Sequence, residues 1–151
     1  MGAYALQADL FNLGLPAAAM GNAGNPSVVP SATIDASLEA NARLMDDYFR
    51  GRWGMTAVPL AAWDTSITRV NCHLAAYDIM VVRGFSSDSD SNKDLRVRYQ
   101  AALDWLDKVQ RQQLHPLITL ANGQTGRQEP NLVSSSVVNI VSGATGPNRG
   151  W

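Results

Sequence analysis

The residues with chemical potential fall in a few places, and each place can be tested against the spacing its chemistry requires. Asp88, Asp90 and Asn92 occupy the first, third and fifth positions of a calcium loop. The sixth position should then be Gly and is Lys93, and the twelfth should be a bidentate Glu and is Tyr99, so the pattern fails. A Ser/Asp loop leading into a helix accounts for these residues better. Cys72 and His73 are adjacent within a helical pattern, so they point about 100° apart and cannot clamp one metal. The remaining histidine, His115, would have to fold against Cys72 to make a thiol–imidazole pair. Cys72 instead flanks the apolar stripe Val70/Leu74/Tyr77, as a small core residue does. Asp46, Asp47, Asp104 and Asp107 lie among arginines and lysines and read as a solvated helical face, with Asp104 and Lys108 in the favourable order for a surface pair. The glycine-rich runs "GNAGNP" and "GATGPNRG" lack the preceding strand and the Lys-Ser/Thr ending of a phosphate loop. The residues define no catalytic centre, no metal site and no cofactor site.

The composition sets bounds on the alternatives. A chain of 151 residues is one domain with little room for a second. It is 46% hydrophobic, enough for a core, and only 17% charged, against roughly 25% in typical soluble domains. That shortfall suits a subunit partly covered by neighbours. A net charge of −1 argues against a broad basic face for nucleic acid. The basic residues Arg50, Arg52, Arg96, Arg98 and Arg111 are scattered, so no recognition helix of a DNA-binding protein stands out. No apolar run approaches the roughly 18 residues of a membrane span. The N-terminal stretch is expected to be neither a signal peptide nor, with Leu6 where Ser or Thr is needed, a myristoylation site. A single cysteine excludes an internal disulfide and fits assembly in the cytoplasm.

Three segments carry the period of an amphipathic helix. Ile34, Leu38, Ala42, Met45 and Phe49 predict a helix over 31–52, capped by Ser31 or Thr33 and stopped by Gly51 and Gly54. Trp63, Ile67, Val70, Leu74, Tyr77 and Val81 predict one over 64–83, with Asp64 or Thr65 as cap. Leu95, Tyr99, Ala102, Leu106 and Val109 predict a third over 93–113, begun by a Ser91/Asp94 capping box. A short helix near Gln7–Leu13 precedes them. The expected fold is mainly α: a small bundle of three long helices plus a short N-terminal helix, with Leu38, Met45, Phe49, Ile67, Val70, Leu74, Tyr99, Leu103 and Leu106 buried.

Two further segments ask for partners. The loop 51–63 is apolar but punctuated by Gly54 and Pro59, so it either folds onto the core or is covered by another subunit. Arg52, Trp53, Met55, Val58 and Leu60 are its candidate partner-binding residues. Arg50 and Arg52 also suit the negative end of their own helix. After Pro116 the helical pattern stops, which sets a helical domain at 1–116 and an extended arm at 117–151. From Leu132 to Ser142 the composition favours a strand of about 35 Å with apolar residues on both faces. No second clear strand is available to pair with it. Leu132, Val133, Val137, Val138, Ile140 and Val141 are therefore expected to add a strand to another chain, with Trp151 as an anchor.

The ordered set "QADL" (7–10), "DDYFRGRW" (46–53), "VPL" (58–60), "VNCHLAAYDI" (70–79) and "VRYQAALDWLDKV" (97–109) resembles the small virion proteins named for the gene 36 product of phage Mu. The resemblance runs over residues 4–112. The Gly/Asn/Pro loop at 20–30, the Ser/Asp loop at 85–92 and the tail after Pro116 depart from the family pattern. It implies an α-helical head-to-tail adaptor in the virion neck, forming a homo-oligomeric ring, usually a dodecamer, beneath the portal. The ring would join the portal to the next neck or tail protein and leave a channel for non-specific DNA passage. Its rivals are another neck or tail-completion protein and a small helical DNA-binding protein.

Overall fold

The computed structural model describes residues 3–15, 29–82 and 90–126. Helix α1 (Gln7–Asp9) runs directly into a π-helical turn, Leu10–Gly14. Then follow α2 (Ser31–Trp53), a 3-10 turn (Met55–Ala57), β1 (Ala62–Trp63), α3 (Thr65–Val82), α4 (Asp90–Gln110) and β2 (Ile118–Thr119). The fold is mainly α, as the periodicity predicts.

The long helices begin and end for local reasons. Helix α2 starts after Pro30, whose fixed φ suits a helix entry, and neither Ser31 nor Thr33 acts as the cap. It passes through Gly51 and stops at Gly54, where φ is +89°. Asp64 caps α3, accepting from the N–H groups of Ser66 (2.9 Å) and Ile67 (3.4 Å). Helix α4 begins three residues earlier than expected and ends at Gln110 in a Schellman closure. There Gln113 N–H donates to Lys108 O (2.8 Å) and Gln112 N–H to Val109 O (3.1 Å), with Gln112 left-handed at φ 63°. The expected Asp104–Lys108 pair is absent, and Asp107 pairs with Arg111 instead, at 3.0 Å.

The core has two parts. One gathers Met45, Phe49, Ile67, Val70, Leu74, Ala102, Leu106 and Val109 where α2, α3 and α4 meet. The other packs Leu10, Leu15, Ile34, Leu38, Cys72, Ala76 and Ile79, so the N-terminal segment closes one side of the α2–α3 pair. Tyr99 and Leu103 are only half-buried: they flank the first cluster, and Tyr99 stacks on Tyr77 with ring centroids 4.4 Å apart.

The expected boundary at 116/117 is moved by the packing. Ile118 and Leu120 are buried in the main core, and Thr119 and Ile118 pair antiparallel with Ala62 and Trp63. Ala61 N–H donates to Thr119 O (2.8 Å) and Ala121 N–H to Ala57 O (2.9 Å). Residues 117–126 thus belong to the helical domain. The expected strand at 132–142 lies outside the described residues.

Candidate interaction surface

The loop after α2 is organised by a residue that sequence reasoning passed over. Tyr4 is buried, and its ring meets Phe49 and Trp63 edge-on at 6.2 and 5.0 Å. Its hydroxyl donates to the buried Asp46 carboxylate and accepts from Leu60 N–H at 3.1 Å. Its carbonyl accepts from the Trp63 indole (3.0 Å) and the Thr68 hydroxyl (3.1 Å). One side chain and one carbonyl therefore tie the N-terminal segment to α2, the loop and α3. Burial raises the Tyr4 pKa, and the neighbouring Asp46 raises it further. Burial also raises Asp46, although the Tyr4 hydroxyl and Arg50 oppose the shift. The buried Asn71 supports the same segment, its amide oriented to donate to Leu38 O (3.1 Å) and accept from the N–H groups of Tyr4 (3.1 Å) and Ala5 (3.2 Å).

The loop residues expected to bind a partner separate into two groups. Val58 and Leu60 are buried in the chain's own core, and Trp53 packs half-buried on Phe49 at 5.8 Å. For these, the loop has folded inward because Leu60 N–H, Ala61 N–H and the Ala57 carbonyl all find acceptors or donors within the domain. Arg52 caps a helix other than its own. Its guanidinium donates to Val109 O (2.8 Å) and Leu114 O (2.6 Å) at the end of α4, approaches His115 Nδ1 (2.7 Å) and stacks 4.3 Å from the Trp53 ring centre. Met55 alone of the five is fully at the surface, 77% exposed. The arm residues Leu132, Val133, Val137, Val138, Ile140, Val141 and Trp151 lie outside the described residues.

Three exposed apolar residues mark a second surface. Trp63 keeps 40% of its area in solvent, Leu6 72% and Leu117 75%. Leu6 lies two residues beyond the Tyr4 carbonyl that holds Trp63, and Leu117 precedes the Ile118 paired with Trp63. Asp64 fixes this corner by accepting from Leu117 N–H at 3.2 Å. Burial works against the Asp64 charge, but the hydrogen bonds from Ser66, Leu117 and Ile67 outweigh it and hold the carboxyl below its usual range. Leu6 and Leu117 escaped sequence reading because isolated leucines give no pattern.

Among the described residues, no chemistry assembles around the remaining titratable groups. Cys72 is buried, and desolvation, with help from the charge of Asp9, pushes its thiol up to about 12. The thiol therefore stays protonated and unreactive near neutrality. His115 sits at the Arg52 guanidinium, not at Cys72. Among the described residues, no three His, Cys, Asp or Glu side chains converge as a metal site. No helix among them is long and apolar enough to cross a membrane.

What these elements define is a helical domain whose unabsorbed features are surface ones. The family described as Bacteriophage Mu, Gp36 matches residues 4–135, and the chain belongs to that family. Membership points to a phage structural protein and a virion component. The match continues past Pro116 to residue 135, so the first part of the tail falls within the family pattern, contrary to the expected departure there. Comparison with curated proteins found no match, and comparison with solved structures found none either.

Proposed function

We propose that the chain is a head-to-tail adaptor: a structural subunit, not an enzyme, that forms a ring beneath the portal and joins it to the next neck component. The observation that carries this reading is the family match over residues 4–135. The surface supports it, since Leu6, Trp63, Leu117 and Met55 expose apolar area that a neighbouring chain would cover. DNA passes through the ring channel without sequence recognition, in keeping with the net charge of −1. The arm from Leu132 to Ser142, with Trp151, reaches the portal first and otherwise an adjacent copy or the next neck protein.

The reading is tested by native mass spectrometry of the full chain, alone and bound to purified heads. A closed oligomer that attaches at one vertex of the head supports it. A monomer that remains unattached, or one that binds all over the capsid, removes it.

A further inference from the structure

A groove of about 200 Å³ runs along the outer seam of α3 and α4. Its floor is Val70 and Ala102, which also line the core that α2 fills from the other side with Met45 and Phe49. Its walls are Arg69 and His73 on α3 and Ala101 and Trp105 on α4. Among the described residues, no carboxylate lines it. Arg98 stands one turn before Ala102 on α4 and adds positive charge at the His73 end. His73 registers this: burial lowers its pKa, and Arg98 and Arg69 lower it further against a hydrogen bond to the Leu13 backbone. Neither arginine forms an ion pair with a described residue. The groove thus offers two guanidinium groups, one indole and a small-residue floor to something acidic and narrow.

The complementary surface lies on the opposite side of the same domain. The first 42 residues hold Asp9, Asp35 and Glu39 and no Lys, Arg or His. Helix α2 buries Ile34, Leu38 and Met45, so the face it turns to solvent carries Ala32, Ala36 and Ala40, an exposed ridge at four-residue spacing. Asp35 and Glu39 follow one flank of that ridge, one turn apart. Asp35 accepts from the Gln7 amide (2.8 Å), and Glu39 meets Arg43 at 3.7 Å in solvent, a pair that costs little to rearrange. The ridge from Ala32 to Ala40 is about 12 Å long, and the groove wall from Ser66 to His73 about 10 Å. Because α2 meets Val70 and Ala102 from the core side, its outward face cannot enter its own groove. Charge, width and length are therefore matched only between copies.

We propose that the outward face of α2 in one copy seats in the α3–α4 groove of the next, with the alanine ridge over Val70 and Ala102 and with Asp35 and Glu39 against Arg69 and Arg98. A ridge of i, i+4 side chains packs into the groove between two others as helices in a core do, and alanines let it approach closely. The two surfaces occupy opposite sides of one chain, so the contact is heterologous, and its repetition gives a ring when the rotation closes. The inference rests on the ring reading above and names the contact that would build the ring. A single-stranded nucleic acid fits less well, because a groove that tracks such a strand needs successive stacking aromatics, and this one holds Trp105 alone.

The experiment uses the full chain with Arg69→Glu, Glu39→Lys and the two combined, read by sedimentation velocity at low salt, with circular dichroism as the folding control. Each single reversal is expected to weaken association by about tenfold or more, because like charges then face each other, and the combined reversal to restore most of it. Ala36→Trp, an exposed position that leaves the charges alone, is expected to weaken association as much by holding the ridge off the groove floor. If a reversal unfolds the chain, Arg69→Gln and Glu39→Gln take its place, and their effects are expected to be non-additive. A wild-type chain that stays monomeric overturns the ring reading and this inference together. An oligomer indifferent to these substitutions, or a combined variant no better than the worse single one, overturns this inference alone. An unchanged oligomer whose oligonucleotide binding is lost in Arg69→Glu but kept in Glu39→Lys assigns the groove to nucleic acid and overturns it as well.

Discussion

Replacing Tyr4 by Phe keeps the ring and removes one oxygen, so it isolates what the hydroxyl does. The Phe ring retains its edge contacts with Phe49 and Trp63. Two bonds disappear. Asp46, 3% exposed, loses the donor that opposes its desolvation, and Leu60 N–H loses its acceptor. A hydrogen bond to a buried charge contributes about 1.5–3 kcal/mol, and an orphaned buried N–H costs about 1–3, so the variant is expected to lose about 2.5–6 kcal/mol at neutral pH. The loss has a pH signature. Asp46 titrates above its ordinary value of 3.8 in the folded protein, so the folded state holds the proton more tightly than the unfolded chain. Its contribution to stability is full below the unfolded pKa and falls as pH rises through the folded one. Without the Tyr4 hydroxyl, which lowers that pKa, the folded value rises further and the fall is steeper. The difference between wild type and Tyr4→Phe is therefore expected to be larger at pH 7 than near about pH 4, where Asp46 approaches neutrality. Urea denaturation at both pH values measures it, with Asp46→Asn as the background in which the pH dependence of the difference disappears. A loss below about 1 kcal/mol, or one that is the same at both pH values, would refute the coupling of Tyr4 to Asp46.

Other perturbations test separate parts of the fold. Arg52→Ala removes the donors at Val109 O and Leu114 O and is expected to cost about 1–3 kcal/mol, with Arg52→Lys recovering only part because an ammonium has no second nitrogen for His115 and no plane to stack on Trp53; equal stability of Arg52→Lys and wild type in denaturation would contradict this. Gln112→Gly relieves a left-handed backbone and is expected to stabilise by about 1 kcal/mol, seen as a higher urea midpoint. Gly14→Ala places a methyl 2.9 Å from the Cys72 carbonyl oxygen and is expected to lower stability by about 1–3 kcal/mol, so an unchanged melting temperature would show that the N-terminal segment is not packed as described. Truncation after Gln128 is expected to preserve melting while abolishing retention on heads. Truncation after Pro116 removes the buried Ile118 and Leu120 and is expected to destabilise the domain by several kcal/mol, about 2–5 for each such side chain.

The long helices were legible because one apolar stripe repeats over many turns in each: Leu38, Met45 and Phe49 on α2 and Leu74 on α3 are all buried where the period puts them. Short elements carry no such period. The pairing of Ala62–Trp63 with Ile118–Thr119 involves two residues per strand, too few to alternate visibly, and so residues 117–126 read as the start of an arm. The Tyr4–Asp46 bond joins residues 42 apart, and in the sequence Asp46 looks like one more surface carboxylate beside Asp47 and Arg50. The apolar loop was ambiguous for a physical reason. Burial in the own core and burial by a partner demand the same residue types, and only the backbone bonds around Leu60 decide between them.

The central claim, a ring beneath the portal, is tested most directly by electron microscopy of the particle neck, with and without the protein supplied to purified heads. The account predicts added density of closed rotational symmetry between the portal and the next neck component, with a channel along its axis. Heads whose neck is unchanged by the protein, or density confined to the capsid shell or the tail tube, would contradict it.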